Sequence, residues 1–530
     1  MYYFIPAWYG NHRTWHADTT PWYRMSYHIE FDDTINQARI FKQTGTPASL
    51  VILNYAPQLR YFLHRQDLYE MENLSIFDQI QGISSEQEMN PLSLYDFEWS
   101  DSVDFIYTPF LIMVMRKGKH IANVDCGPDG NIISINYIKE GRNHLSYLID
   151  DRGFISSVLY YKEGMLFCQE YLNPIGEWII RENLSETNRT VFVNPDYTSH
   201  FSKNIYSSID ELIQEKFHQL VSDNFQPSDT VVVASSPIHN DLIFNESALI
   251  SQKILSFYRD RHQVENHIDF KNYLEQVDLI VTDLKTTKEK LLELQIEAGH
   301  DKIHQISSFD SRLRLGFSQR KKESKIYCYI DVVKEIEPAT IKAALTSITL
   351  NPLYELVFAT YNASGSQIEQ INNLIQQVIE SNFDTNDLIY RSDVEESEEE
   401  ELLEEGAPGE GEGQVMYRFQ VKNFNNETEI IKELEYARLI LDLNEEPDVY
   451  TQIAAISAGI PQINRVSSDY VEHCKNGWIL SSLDEITEAV EYYLHTLKYW
   501  NESLVYSVQK IQENTGQRLI DKWEGWLKNS

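Results

Sequence analysis

The chain has 530 residues, of which 45 are Lys or Arg and 81 Asp or Glu, giving a formal charge of −36 at pH 7. With 42% hydrophobic and 12% aromatic residues it belongs with folded proteins, and at roughly 150 residues per unit its length predicts three or four compact units. The acidity excludes duplex nucleic acid and an anionic membrane as direct partners, because both are held by clustered positive charge.

Residues 2–7 (YYFIPA) read as a short buried strand. Asp33 can cap a helix over TINQARIFKQ, which Gly45 stops, and SLVILN (49–54) is a second buried strand. Pro57 then opens a helical stretch, QLRYFLHRQDL. Strand and helix alternating at this spacing predict a parallel sheet covered by helices. The period then changes. Glycines fall at Gly118, Gly130, Gly141, Gly153, Gly164 and Gly176, with gaps of 12, 11, 12, 11 and 12. β-rich stretches such as IISINYI (132–138) separate them, so an antiparallel meander is expected from about Val103 to Val193. Alternation resumes with an amphipathic helix at 207–223, for which Ser208 is the expected cap, and with strands at 229–236 and 277–283. A second alternating set places strands at 325–333, 353–361, 414–421 and 437–444.

Charge is unevenly distributed between these sets. From Asp393 to Glu412 the chain reads DVEESEEEELLEEGAPGEGE, eleven acids and no base, which predicts a solvated loop or an arm for a basic partner. Ser311 to Lys325 (SRLRLGFSQRKKESK) has the opposite bias and reads as an exposed joint between domains. Cys126, Cys168, Cys328 and Cys474 form no CxxC pair, so neither a zinc site nor a disulfide framework is expected and a reducing cytosol fits. MYYFIPAWYG lacks the pattern of a signal peptide, and the apolar run Phe110 to Met115 is too short to span a bilayer.

The stretch 439–494 resembles the C-terminal domain of retaining GT-B glycosyltransferases of the family-four-like type. Ala458-Gly459-Ile460-Pro461 and Asn476-Gly477-Trp478 stand where those enzymes carry a small-Gly-x-Pro turn and an Asn-Gly turn. The meander resembles the extended sheet of glycosyltransferases that modify serine-rich adhesins. MYYFIPAWYGNHRTWH, together with the C-terminal block, is similar to the first accessory secretion proteins of the accessory Sec system, which exports glycosylated serine-rich-repeat adhesins. The resemblance implies an α/β, GT-B-like pair of Rossmann-type domains. It implies an N-terminal domain in two parts, 1–102 and 194–320, with the antiparallel sheet 103–193 inserted. A C-terminal domain 321–510 would carry the acidic loop 393–413, and a helix at 511–530 can pack back on the N-terminal domain. Implied partners are the second and third accessory secretion proteins, the accessory Sec motor ATPase and the adhesin. No nucleic acid, membrane span, cofactor or metal is implied. The implied location is cytoplasmic, peripheral to the membrane through the export complex.

Glu446 matches the first carboxylate of the donor motif E-x(7)-E, but the second position is Ala454, whose methyl group cannot hold ribose hydroxyls. The segment that clamps a diphosphate with Arg and Lys in those enzymes aligns with Asp331, Val332, Val333 and Glu337, and only Lys334 is basic there. Two lost charge-assisted contacts, at about 1.5–3 kcal/mol each, remove about 10²–10⁴ in donor affinity. The expectation is therefore a glycosyltransferase-like scaffold without enzymatic activity.

Substrate-binding candidates lie in the loop after the first strand: Trp8, Tyr9, Trp15, His16 and Trp22, beside His12, Arg13 and Tyr23. Such a loop sits at the carboxyl edge of an open sheet, where ring faces stack on sugars or grip a peptide. The alternative for each ring is core packing. His16 and Asp18 are the side chains that a catalytic base would use, and without a donor site they read as ordinary loop residues. Two alternatives remain: an active glycosyltransferase acting on a serine-rich glycoprotein through Lys325 or Lys334, and an adaptor that contacts only the other secretion proteins.

Overall fold

The computed structural model describes residues 1–10, 13–17, 32–99, 102–185, 188–246, 250–259, 261–265, 268–294, 300–307, 316–390, 416–424, 427–445, 447–468, 470–513 and 515–529. Trp22, Glu446, His12, Asp18, Tyr23 and the acidic segment 393–412 lie outside them. The chain divides into two compact units, Met1–Ser308 with Ile520–Ser530, and Phe309–Leu519.

The first unit opens with β1 (Tyr2–Ile5), β2 (Ala48–Ile52) and β3 (Asn73–Ser75). Ten strands follow: β4 (Val103–Tyr107), β5 (Ile112–Arg116), β6 (Lys119–Cys126), β7 (Ile132–Lys139), β8 (Arg142–Asp150), β9 (Phe154–Lys162), β10 (Met165–Leu172), β11 (Trp178–Asn183), β12 (Val191–Val193) and β13 (Ile205–Tyr206). β14 (Thr230–Ala234), β15 (Gln252–Phe257), β16 (Leu279–Thr282) and β17 (Ile303–Gln305) complete it. Among the described residues these make a parallel sheet, ordered β17-β16-β15-β14-β1-β2-β3, and an antiparallel sheet from β13 through to β4. β1 pairs with β2 and with the sequence-distant β14 (Phe4 opposite Val232), so the inserted strands interrupt the parallel sheet in sequence but not in space.

The turns of the antiparallel sheet explain its glycine period. Lys117-Gly118, Glu140-Gly141 and Glu163-Gly164 have φ of 48 and 74°, 53 and 77°, and 55 and 84°. Positive φ at both central residues is the type I′ geometry, whose twist matches that of paired strands. The sheet is buried in two places. Tyr171, Ile180, Val191 and Tyr206 enter the main core of the unit, while Val114, Val124 and Ile135 form a separate cluster with Leu94, against which Trp99 packs.

The first helix runs from Asp33 to Thr44, and its cap is Asp32, not Asp33: Asp32 Oδ1 accepts from the Ile35 amide at 3.0 Å. Asp33 is occupied elsewhere, accepting from Arg261 Nη2 at 2.9 Å and Ser256 Oγ at 2.6 Å. Ser208 caps the helix Ile209–Asn224. At the C-terminus, Trp523 is buried against Phe41, and Trp526 stacks on His304 with centroids 3.9 Å apart.

The second unit holds one parallel sheet, ordered β20-β19-β18-β21-β22-β23. Its strands are β18 (Ser324–Tyr329), β19 (Tyr354–Tyr361), β20 (Phe419–Phe424), β21 (Ala437–Asp442), β22 (Gln462–Asn464) and β23 (Gly477–Ile479). The strand expected at 414–421 thus lies further along the chain, at 419–424. Ile326, Cys328, Leu439, Leu441 and Ile463 form the middle of its core, under helices that include Pro338–Thr349 and Gly365–Asn382.

Candidate functional site

In open parallel sheets, ligands bind outside the carboxyl ends of the strands. In the second unit a cavity of about 610 Å³ lies there, lined by Glu445 after β21, Arg465 and Val466 after β22, and Leu480 to Leu483 after β23. Three successive parallel strands thus each contribute the residues that follow them. The volume falls within the range of about 300–1,000 Å³ for small-molecule sites. Its cation is already matched, because Arg465 Nη1 donates to Glu337 Oε2 at 2.7 Å. Glu337 precedes Pro338 at the start of its helix and makes no side-chain cap. Lys334 lies 3.9 Å from Asp331, and Val332 is half-buried, its carbonyl accepting from Gln367 Nε2 at 2.9 Å.

The helix Val449–Ala458 follows β21, and its amino end would ordinarily welcome an anion. Here the chain supplies the anion itself. Asp448 Oδ2 accepts from the Thr451 amide at 2.8 Å and from Thr451 Oγ1 at 2.7 Å. Beneath it Asp442, 1% exposed, accepts from the Asp448 amide at 2.7 Å and from Asn444 Nδ2 at 2.7 Å. Burial pushes the Asp442 carboxyl up to about 7, opposed by the Asp448 amide bond and reinforced by the Asp448 charge. Ala454 sits half-buried in this helix.

In the first unit the loop after β1 is fastened down. Trp8 is 4% exposed and donates through Nε1 to Asp32 Oδ1 at 3.2 Å. Trp15 is 3% exposed and donates to Asp210 Oδ1 at 2.6 Å. Neither ring offers a face for stacking, so the expectation that they form a ligand platform is corrected: they are core. Tyr9 meets Trp15 edge-on and donates to His239 Nδ1 at 2.7 Å, while His239 Nε2 donates to the Ala234 carbonyl at 2.7 Å. Burial holds His239 neutral, its pKa lowered to about 3.

His16 donates from Nε2 to Tyr171 Oη at 3.0 Å, and Tyr171 donates on to Glu182 Oε2 at 2.8 Å. Arg13 pairs with the same Glu182 oxygen at 2.7 Å. Burial, then the Arg13 charge, holds His16 well below the usual histidine range. This network ties the loop to β10 and β11 and holds His16 in place. Among the described residues no three His, Cys, Asp or Glu side chains gather as metal ligands, and no helix is long and apolar enough to cross a membrane.

Sequence reasoning missed Arg465, Glu445, Ser481 and Ser482, because only the sheet order brings the ends of β21, β22 and β23 together. The Asn476-Gly477 turn was the nearest signal. Gly477 allows its strand to approach β22 so closely that a Cβ there would meet the Gln462 carbonyl oxygen at 2.4 Å.

Two parallel α/β units, with an antiparallel sheet built into the first, constitute the GT-B glycosyltransferase-like fold. A pneumococcal O-GlcNAc transferase solved with UDP and GlcNAc shares it across 100% of this chain and 98% of its own, at a TM-score of 0.68 and 13% identity. A family model described as accessory Sec system protein 1 matches residues 1–530, and the chain belongs to that family. The accessory Sec system protein of Streptococcus gordonii is 43% identical over 534 residues, covering 100% of this chain and 99% of the relative. A crystal structure of accessory secretory proteins 1, 2 and 3 of Streptococcus pneumoniae contains a chain 38% identical, with a TM-score of 0.79 over 100% of this chain and 99% of that one. A glycosylation-associated protein complex of Streptococcus agalactiae contains another, 35% identical, with a TM-score of 0.78 over 98% and 99%. The role of this family is in accessory secretion.

Proposed function

We propose that this chain is a non-catalytic, glycosyltransferase-like subunit of the accessory Sec system that binds serine-rich-repeat adhesin and supports its export. It would work in the cytoplasm with the second and third accessory secretory proteins and the motor ATPase, as its streptococcal relatives' assembly with proteins 2 and 3 suggests. The observation that carries the non-catalytic part is the Arg465–Glu337 pair at a cavity whose neighbouring helix end is capped by Asp448 over a buried Asp442. A nucleotide diphosphate placed there would meet a cation already paired with Glu337 and, beside it, the Glu445 carboxylate, which repels it. Calorimetry with a serine-rich adhesin segment and with nucleotide sugars tests the reading. Adhesin binding without nucleotide-sugar binding supports it, and tight nucleotide-sugar binding contradicts it.

A further inference from the structure

The turns of the antiparallel sheet in the first unit fall at its two ends, and the ends differ in charge. The β6–β7 and β8–β9 turns are fastened by acids to the helix Leu59–Arg65: Asp129 pairs with Arg65, and Asp151 with Arg60 at 3.0 Å. The β5–β6, β7–β8 and β9–β10 turns lie at the other end, about 27 Å away along strands of eight residues. They carry Arg116, Lys117, Lys119, Lys139, Arg142 and Lys162, all exposed. Among the described residues no carboxylate lies within ion-pair distance of these six cations. Against them stand two glutamates, Glu140 and Glu163, so a chain of net charge −36 keeps a local charge of +4 at this edge. The cations are also set against each other. Arg116 stands directly opposite Lys119, and Lys139 directly opposite Arg142, in the last pairs before their turns. Like charges directly opposed in a sheet destabilise it, so folding does not account for them, whereas an anionic occupant relieves both pairs.

We propose that this row of turns binds an extended acidic polypeptide of a partner protein. Successive turns are two strand spacings apart, about 10 Å. A polyproline II chain repeats every three residues, about 9.3 Å, so carboxylates three residues apart on one face fall on successive turns. The row is set by backbone, because Lys117-Gly118, Glu140-Gly141 and Glu163-Gly164 all hold positive φ at both central positions. Those positions also argue against an anionic bilayer as the occupant. Glu140 and Glu163 take the first central position of two of the three turns, where a negative surface would meet them, and no central residue carries an apolar side chain to insert. A single extended chain can place its acids on the flanking cations and pass between the glutamates. The surface lies in the first unit, whereas the cavity described above lies in the second, and its occupation does not depend on what that cavity binds.

The test mixes the full chain with a labelled peptide of about six Glu-Pro-Ser repeats, which favours the polyproline II form, and follows fluorescence anisotropy. Saturable binding is expected, and about 1 M salt, where the Debye length is about 3 Å, should abolish it. Lys119→Glu together with Lys139→Glu should weaken binding at least about tenfold. The thermal midpoint of that variant should equal or exceed the parent's, because each substitution turns a like-charged pair into an opposite one. Should the pair fail to fold, Lys117→Gln with Lys162→Gln should weaken binding in the same direction. A peptide of the same composition with its glutamates gathered at one end should bind more weakly than the repeat. No binding of the repeat peptide at millimolar concentration would overturn the proposal, as would binding indifferent to these substitutions or equal for the two peptides. Co-sedimentation with phosphatidylglycerol vesicles that Lys119→Glu with Lys139→Glu abolishes, without binding of the peptide, would assign the row to a membrane surface and overturn it too.

Discussion

Glu337 accepts from Arg465 at 2.7 Å, so the cation at the edge of the unit 2 cavity is neutralised before any ligand arrives. Both side chains are partly exposed, 47% and 31%, so the pair adds little to stability. Its consequence lies in binding. Glu337→Lys would place two cations beside the cavity, and one or two charge-assisted contacts are worth about 1.5–3 kcal/mol each. Calorimetry should therefore detect UDP binding in the variant and none in the parent at the same millimolar concentration.

Arg13 and Glu182 form the buried ion pair that fastens the loop after β1 to β11. Arg13→Met leaves the 6%-exposed Glu182 carboxylate with one fewer donor and no cation, a loss of about 3–5 kcal/mol. Adding Glu182→Gln should recover much of it. Thermal denaturation of the two variants checks this, and equal midpoints would contradict it.

Trp15 is a core residue, so Trp15→Ala should lower stability by about 3–5 kcal/mol. The affinity of the remaining folded protein for an adhesin segment should stay unchanged. A large loss of affinity at full stability would restore the stacking role expected from sequence.

Asp442 titrates near 7 when folded, against 3.8 as its ordinary value. A carboxyl raised in this way gives stability that is complete below about 3.8 and is lost as pH rises through about 7. Asp442→Asn removes this dependence. Measured against the parent, the variant's thermal midpoint should improve steadily from pH 4 to pH 7 and then level off; a constant difference across that window would contradict the assignment.

Gly153 has φ of 92°, and a Cβ there would sit 1.8 Å from the Asn90 carbonyl oxygen. Gly153→Ala should cost more than about 1 kcal/mol in chemical denaturation, whereas Gly176→Ala, with nothing within 4 Å of its Cβ, should cost less.

The antiparallel sheet was legible because its turns depend on local chemistry: a glycine at positive φ every eleven or twelve residues needs no tertiary partner. Ser208 was legible for the same reason, as a cap acts within one turn. Asp32 and Asp33 were not separable in sequence, because Arg261, more than two hundred residues away, decides which of them caps. The loop aromatics looked like a binding surface only while Asp32 and Asp210, the acceptors for Trp8 and Trp15, were unknown. That Val332 and Glu337 stand where the enzymes the chain resembles carry cations could be read in the sequence, but the pairing of Glu337 with Arg465 required the fold.

The most direct test of the central claim is calorimetry of the intact chain at neutral pH against UDP-GlcNAc and UDP-glucose at millimolar concentration, beside a serine-rich adhesin segment. Heat of binding is expected for the adhesin segment and none for either nucleotide sugar. Saturable nucleotide-sugar binding that Arg465→Ala abolishes would contradict it.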